Sequence, residues 1–270
     1  MGLMECPITI FTDDRPPWYA EKMQDFALIP AEQLPPNTSK HGYSFAAIAI
    51  NPLTYLSHLL AEVKAKGVRP VTAKIPSLQH FLENFHDFID TGDLNTCNLV
   101  VNCTGLSAKS FCGDDAMYPI RGQTLLARIH PIPKQEILLW ESSDHVTYIV
   151  PRPGTQTFIL GGTKTANSCD PEPHAEISEA IVERCKRLLR DEVRVEVVAE
   201  QVGLRPGRQG GPRVELEKMM VDKNRWYVVH NYGQAGGGYQ GSIGAAQKVL
   251  VLVKQALGQS ARLDDGQRLQ

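Results

Sequence analysis

Hydrophobic and polar positions follow one another along this chain in two rhythms. In "NPLTYLSHLLAEVKAKG", Leu53, Leu56, Leu60 and Val63 recur three and four apart, the period of an amphipathic helix. Asn51 suits its N-cap, Pro52 its first helical position and Gly67 its stop, and Glu62 precedes Lys66 by four. A second helix is predicted from about Ala175 to Arg190, with Ile177, Ile181, Cys185 and Leu188 on one face. Short apolar runs predict strands: "VRPVTAKI", "NLVVNCTG" (98–105), "TLLARI" (124–129), "VRVEVVAEQVGLRP" ending in an Arg-Pro turn, and "WYVVHNYG". "YIVP" and "TFILGG" make a hairpin around Arg152 to Gln156. "SIGAAQKVLVLVKQALG" is so nearly apolar that it predicts a buried helix, and residues 11–43, rich in Pro and polar groups, predict irregular chain. Strands and helices alternate at both ends, with antiparallel-looking strands between. That order predicts an α/β nucleotide domain interrupted by a mainly β insert.

Composition narrows the function classes. At 270 residues the chain can bury a substantial core, and its 28 Lys plus Arg against 30 Asp plus Glu leave a net charge of -2. That balance gives no electrostatic reason for a nucleic-acid or acidic-membrane partner. The cysteines (Cys6, Cys97, Cys103, Cys112, Cys169, Cys185) show no C-x-x-C pair and no metal-ligand spacing, so the expectation is a reduced intracellular protein without a metal. Cys103, inside an apolar strand pattern, is expected to be a buried structural thiol. "MGLMECPITIF" lacks the pattern of a secretory signal, Cys6 stands where a myristoylation signal has Ser or Thr, and no apolar run is long enough to span a bilayer.

Chemistry enters with "VVHNYGQAGGGYQGSIGAA" (228–246), a strand, a loop with four glycines in six residues, and a helix start. Such a turn offers backbone N–H groups and a positive dipole end to an anionic or electron-rich ligand. Equally, the glycines can serve only close packing. Gly236, Gly238 and Gly241 match G-x-G-x-x-G, but no second strand follows to complete a βαβ unit, so the match is not a dinucleotide fingerprint and an NAD-linked reading is poor. In "VGLRPGRQGGPRVELE" three arginines could hold a carboxylate. Arg205 ends an apolar strand and is expected to be buried and paired, whereas Arg208 reads as part of a solvated basic loop. Tyr148, opening "YIVPRPG", reads by itself as packing, and His230, beside the glycine loop, as a structural hydrogen-bonding group. His80 and His86 also look structural.

These residues resemble the D-amino-acid oxidase and D-aspartate oxidase family. The likeness rests on "VVHNYGQAGGGYQGSIGAA", "VVNCTGLSA", "RGQ" before a strand, "YIVPRPGTQTFILGG" and "VGLRPGRQGGPRVE", in the family's order over residues 45–250; the last is of the fungal type. The resemblance implies that Arg205 binds a substrate α-carboxylate with help from the Tyr148 hydroxyl, and that the Gly236 backbone meets the substrate amine. It implies FAD as cofactor. Ala235, Gly236, Gly237, Gly238, Tyr239 and Gln240 would lie at the flavin pyrimidine edge, with Ile75, Cys103, Thr104 and Gly105 lining other parts. The implied partners are a D-amino acid, leaning towards neutral ones, and oxygen, and the resemblance allows a homodimer. The implied fold is an incomplete doubly wound FAD-binding domain (55–114 and 205–270) interleaved with a mainly antiparallel β substrate domain (1–54 and 115–204). The family is often peroxisomal, although "GQRLQ" is not a Ser-Lys-Leu address; otherwise a cytoplasmic place is expected.

The family begins with a strand, a G-x-G-x-x-G turn and a helix that hold the FAD pyrophosphate, and these 270 residues contain no such run. The expectation is an open strand edge and no phosphate cradle. The alternative to an oxidase is therefore a truncated remnant without FAD, acting through partner binding.

Overall fold

The computed structural model describes residues 1–36, 38–88, 98–143, 145–189 and 192–267, with side chains to residue 258. Cys97 and Arg190 lie outside the described residues. Along the chain run β1 (Leu3–Thr12), β2 (Ala27–Leu28), β3 (His41–Ile50), α1 (Pro52–Ala65), α2 (Leu78–Glu83), α3 (Phe85–Phe88), β4 (Leu99–Asn102) and α4 (Ala108–Phe111). Then come β5 (Met117–His130), β6 (Ile137–Glu141), β7 (Val146–Pro151), β8 (Phe158–Gly161), β9 (Thr165–Ala166) and α5 (Ala175–Leu189). The chain ends with β10 (Arg194–Arg208), β11 (Arg213–Val221), β12 (Asn224–Tyr232) and α6 (Ser242–Gln267). It divides into two units: Met1–Pro70 with Arg121–Thr165 and Asp170–Gly203, and Val71–Ile120 with Ala166–Cys169 and Leu204–Gln270. The chain passes from one to the other inside β5 and β10.

The first unit is built on the larger sheet, with strand order β10-β5-β8-β7-β6-β1-β3-β2 and β9 on β5. β1 runs antiparallel to β3 and parallel to β6, while β6–β7, β7–β8 and β5–β8 are antiparallel. Alternation along β5 sends Leu125, Ala127 and Ile129 to one face. There they meet Ile149, Phe158 and Leu160, and α5 closes the layer with Ile181, Cys185 and Leu188, one helical face. Ile181 is fully buried in this cluster. Ile181→Ala is expected to lower unfolding stability by about 3 kcal/mol through lost transfer energy and the cavity left behind. Urea unfolding checks this, and a loss of only a few tenths would contradict the packing described.

The second unit carries a three-stranded sheet, β11-β12-β4. β11 and β12 form a hairpin closed by Asp222 and Lys223, both left-handed (φ 47° and 67°), the twist a two-residue hairpin turn favours. β12 and β4 are parallel, with His230 opposite Asn102. Trp226 and Val228 pack on Leu78, Phe81 and Leu82 of α2, and Tyr232 packs on Ala108 and Met117. α6 packs on β11 and β12. No helix among the described residues is long and apolar enough to cross a membrane.

Several expectations need correction. "VRPVTAKI" forms no ladder, because strand propensity yields a strand only where a partner edge accepts its hydrogen bonds. The chain does not turn at Arg205-Pro206. β10 continues to Arg208, and the reversal falls at Gly210 and Gly211, which supply the positive φ values of 78° and 92°. Asn51 does stand at the N-cap of α1, but its side chain makes no capping bond to the helix. Its amide instead donates to the Pro153 carbonyl and accepts from Arg152 Nε, tying the helix start to the β7–β8 hairpin. α6 is not a buried helix: Ile243 is 71% and Leu250 53% exposed, since β11 and β12 cover one side alone. The stripe on α1 is likewise open, with Leu53, Leu56, Leu60 and Val63 exposed.

Candidate functional site

Parallel pairing of β4 and β12 brings the loops that follow them to one end of the second unit's sheet. Ligand clefts of open α/β sheets form at this end of parallel strands. After β12 the chain turns through Gly233 (φ 87°) and Ala235 (φ 48°), makes a short 3-10 turn over Ala235–Gly237, and enters α6 at Ser242. Gly233 is a packing glycine, because a Cβ there would stand 2.9 Å from Cβ of Arg208. Gly237 and Gly238 are not: a Cβ at either would meet nothing within 4 Å, and one at Gly236 would meet Arg205 Cδ alone, at 3.9 Å. Close packing within the unit therefore does not explain this run of glycines. They leave bare backbone over open space, ahead of the first N–H groups of α6, which have no intrahelical acceptor. The loop after β4 ends the same way: Gly105 sits at φ 59°, and a Cβ there would also meet open space. Two such stretches of bare backbone at the end of parallel strands leave room for a flat ring to approach, as the family resemblance implies for the flavin edge.

The arginines of this region take different places around these loops. Arg208 pairs with Asp114 at 2.8 Å, so it is not part of a solvated loop; Asp114 sits in a turn 94 residues away that the sequence does not connect with it. Arg213 holds Glu215 (2.6 Å), Glu217 (2.9 Å) and the Tyr232 hydroxyl (3.0 Å). Tyr232 in turn donates to Asp114 (2.8 Å). Arg205 is half-buried, with its Cδ 3.9 Å from where a Cβ at Gly236 would stand. Ile75 packs, partly buried, against the cluster of Leu78, Phe81 and Trp226. Tyr239 is exposed at the helix start, beside Gln240.

Behind the two loops lies His230, wholly buried. Its Nε2 is 2.9 Å from Glu217 and its Nδ1 is 3.2 Å from Nδ2 of Asn102. A carboxylate accepts and an amide nitrogen donates, so the ring carries its proton on Nε2. Asn102 Oδ1 then faces forward and accepts from the Thr104 backbone N–H (3.1 Å) and hydroxyl (2.8 Å). Asn102 was not singled out from the sequence; its signal is a buried polar residue in the apolar run "LVVN". Cys103, the next residue, is exposed rather than buried, because β4 ends at Asn102 and the thiol lies past the ladder.

Burial, with Arg213 nearby, holds His230 below the usual histidine range against the pull of Glu217. Asp114 is held below the usual carboxylate range: burial would raise it, but Arg208 and Tyr232 outweigh that. Both shifts have the same sign for stability. Between the lowered His230 value and its ordinary one the unfolded chain binds more protons, so stability rises with pH across that window. Asp114 contributes above the ordinary carboxylate range, and its contribution is lost as pH falls through the lowered value. Urea midpoints are therefore expected to decline from pH 7.5 to 5.5 and further towards pH 3; a flat profile would contradict the buried network.

In the first unit the Tyr148 ring lies across Gly161 and Gly162. A Cβ at Gly161 would fall 2.1 Å from its Cζ, and one at Gly162 2.7 Å from its hydroxyl, so both positions must be glycine for the ring to take this place. "RGQ" is structural there. Arg121 donates to the Asp170 and Glu172 carbonyls, and Gln123 donates to the His174 carbonyl and to Ser178, fixing the chain that leads into α5.

Comparison with known proteins identifies the family and the fold. The FAD dependent oxidoreductase family matches residues 12–250. The D-amino-acid oxidase of Rubrobacter xylanophilus is 33% identical over 241 residues, covering 89% of this chain and 68% of that protein. The D-amino-acid oxidase of Fusarium vanettenii is 32% identical over 270 residues, covering 95% and 70%. Among solved structures, glycine oxidase from Geobacillus kaustophilus superposes with a TM-score of 0.68 at 17% identity, over 94% of this chain and 72% of that one. That likeness shows the fold: mixed α/β with a large, mainly antiparallel sheet.

Proposed function

The chain belongs to the family of FAD-dependent oxidoreductases, whose cofactor is FAD, and from that premise we propose that it oxidises D-amino acids. The overall reaction converts a D-amino acid, oxygen and water to a 2-oxo acid, ammonia and hydrogen peroxide. Bound FAD would supply two-electron chemistry, accepting hydride from the substrate Cα and returning the electrons to oxygen. The second unit is assigned to cofactor binding and the first to substrate binding.

The observation that carries this reading is the approach of the Arg205 side chain to the glycine loop, where its Cδ would stand 3.9 Å from a Cβ built on Gly236. A guanidinium there can grip a carboxylate bidentately and fix the Cα beside the ring. The Gly236 backbone would accept from the substrate amine, which sets the hand of the Cα–H that faces the flavin. Ala235 to Gln240, with the α6 dipole behind them, favour negative charge at the pyrimidine edge. Cys103, Thr104, Gly105 and Ile75 would hold other parts of the cofactor. Tyr148 is assigned as a second donor to the carboxylate. No side chain need take the Cα proton as a base. His230, the histidine nearest the loop, already has both ring nitrogens engaged.

Oxygen uptake by the FAD-supplemented chain tests the reading. Uptake with stoichiometric peroxide is expected for D-alanine, less for D-aspartate and none for L-alanine. FAD-loaded protein that turns over no D-amino acid would overturn it.

A further inference from the structure

The side chains behind the cradle do more than fill space. His230 is wholly buried, and its two nitrogens face unlike partners, Glu217 at 2.9 Å and Asn102 at 3.2 Å. Asn102 faces unlike partners too. Its amide nitrogen points at His230 and at Cys112 Sγ (3.5 Å), and its oxygen receives both donors of Thr104. An amide can satisfy this arrangement in one orientation only, and the neutral, Nε2-protonated imidazole selects it.

We propose that Asn102 is a positioning residue, oriented by His230 and Glu217, that holds the Cys103–Gly105 turn in the shape that accepts the cofactor. A proton added at Nδ1 of His230 would set two donors face to face. The Asn102 amide would then rotate, present its NH2 to the Thr104 N–H and release the turn. The charged and titratable groups around His230 are Glu217, Glu215 and Arg213 on β11, Tyr232 on β12, Cys112 after α4, and Asp114 with Arg208 beyond Tyr232. Arg213 opposes the extra proton and the two glutamates favour it. The turn is therefore ordered at neutral pH and loosens in acid. The link to cofactor rests on the proposed contacts of residues 103–105.

Two readouts on the full chain separate the parts. The first is amide hydrogen exchange at Thr104 in cofactor-free protein, corrected for the intrinsic rate at each pH. The second is FAD affinity by fluorescence titration. In the unsubstituted protein both are expected to change about tenfold between pH 7.5 and 5.5, the loss of one or two buried hydrogen bonds. Asn102→Leu is expected to speed Thr104 exchange and weaken FAD about tenfold at pH 7.5, and to abolish the pH dependence of both. Asn102→Asp keeps the shape, so it stays informative if the leucine variant fails to fold. Its carboxylate accepts from the imidazolium and from Thr104 together, so the acid loosening should disappear. Thr104 exchange that ignores both substitutions overturns the proposal, whatever FAD does. Exchange that responds while FAD affinity does not supports the positioning role and overturns the cofactor contact it rests on.

Discussion

Arg205→Ala is expected to lower kcat/KM for a D-amino acid a hundredfold to a thousandfold. Truncating one side of a desolvated charge pair costs roughly 2–5 kcal/mol, because the substrate carboxylate is left without its counter-charge. Arg205→Lys keeps the charge but loses the planar fork, and should fall between. Steady-state kinetics with FAD saturating decides it: near-normal kcat/KM would remove Arg205 from the site.

Gly237→Val carries the second large effect, and its value lies in the contrast between two readouts. A Cβ at Gly237 meets nothing within 4 Å, so the cofactor-free fold should tolerate the substitution within about 1 kcal/mol. FAD affinity should fall at least tenfold, because the branched side chain occupies the space over which the ring is proposed to lie. A protein that melts normally and has lost FAD supports the cradle. One that binds FAD as before shows that the open backbone serves something else. Gly233→Val is the opposite case. Its Cβ would strike Arg208 and its φ is positive, so it should damage the fold before it touches the cofactor.

How legible all this was in the sequence depended on whether a feature is local. The α1 helix, the β7–β8 hairpin, α5 and the strand–glycine–helix run of β12 and α6 follow from periodicity and turn residues a few positions apart. Burial of α6 did not follow. An all-apolar helix declares that it wants cover but not how many sides receive it, and here Ile243 and Leu250 stay open. "VRPVTAKI" failed for a related reason, because the hydrogen bonds of a strand belong to its neighbour. Arg208 read as solvent-exposed because its partner Asp114 is 94 residues away. The Asn102–His230 pair is 128 residues apart, and a polar residue in an apolar run acquires meaning only once β4 is laid beside β12. Arg205 and the glycines stood out through the family resemblance. Their geometry adds what sequence could not: Gly236, Gly237 and Gly238 carry no packing duty within the second unit, and Arg205 Cδ comes 3.9 Å from where a Cβ at Gly236 would stand.

The central claim is that these loops hold FAD next to a D-amino acid. It is tested most directly by incubating the purified chain with FAD, desalting it, and recording the visible spectrum before and after anaerobic addition of D-alanine or L-alanine. The account predicts a retained flavin band that D-alanine bleaches and L-alanine leaves intact. A folded protein that emerges colourless, or one whose flavin band no D-amino acid bleaches, would contradict it.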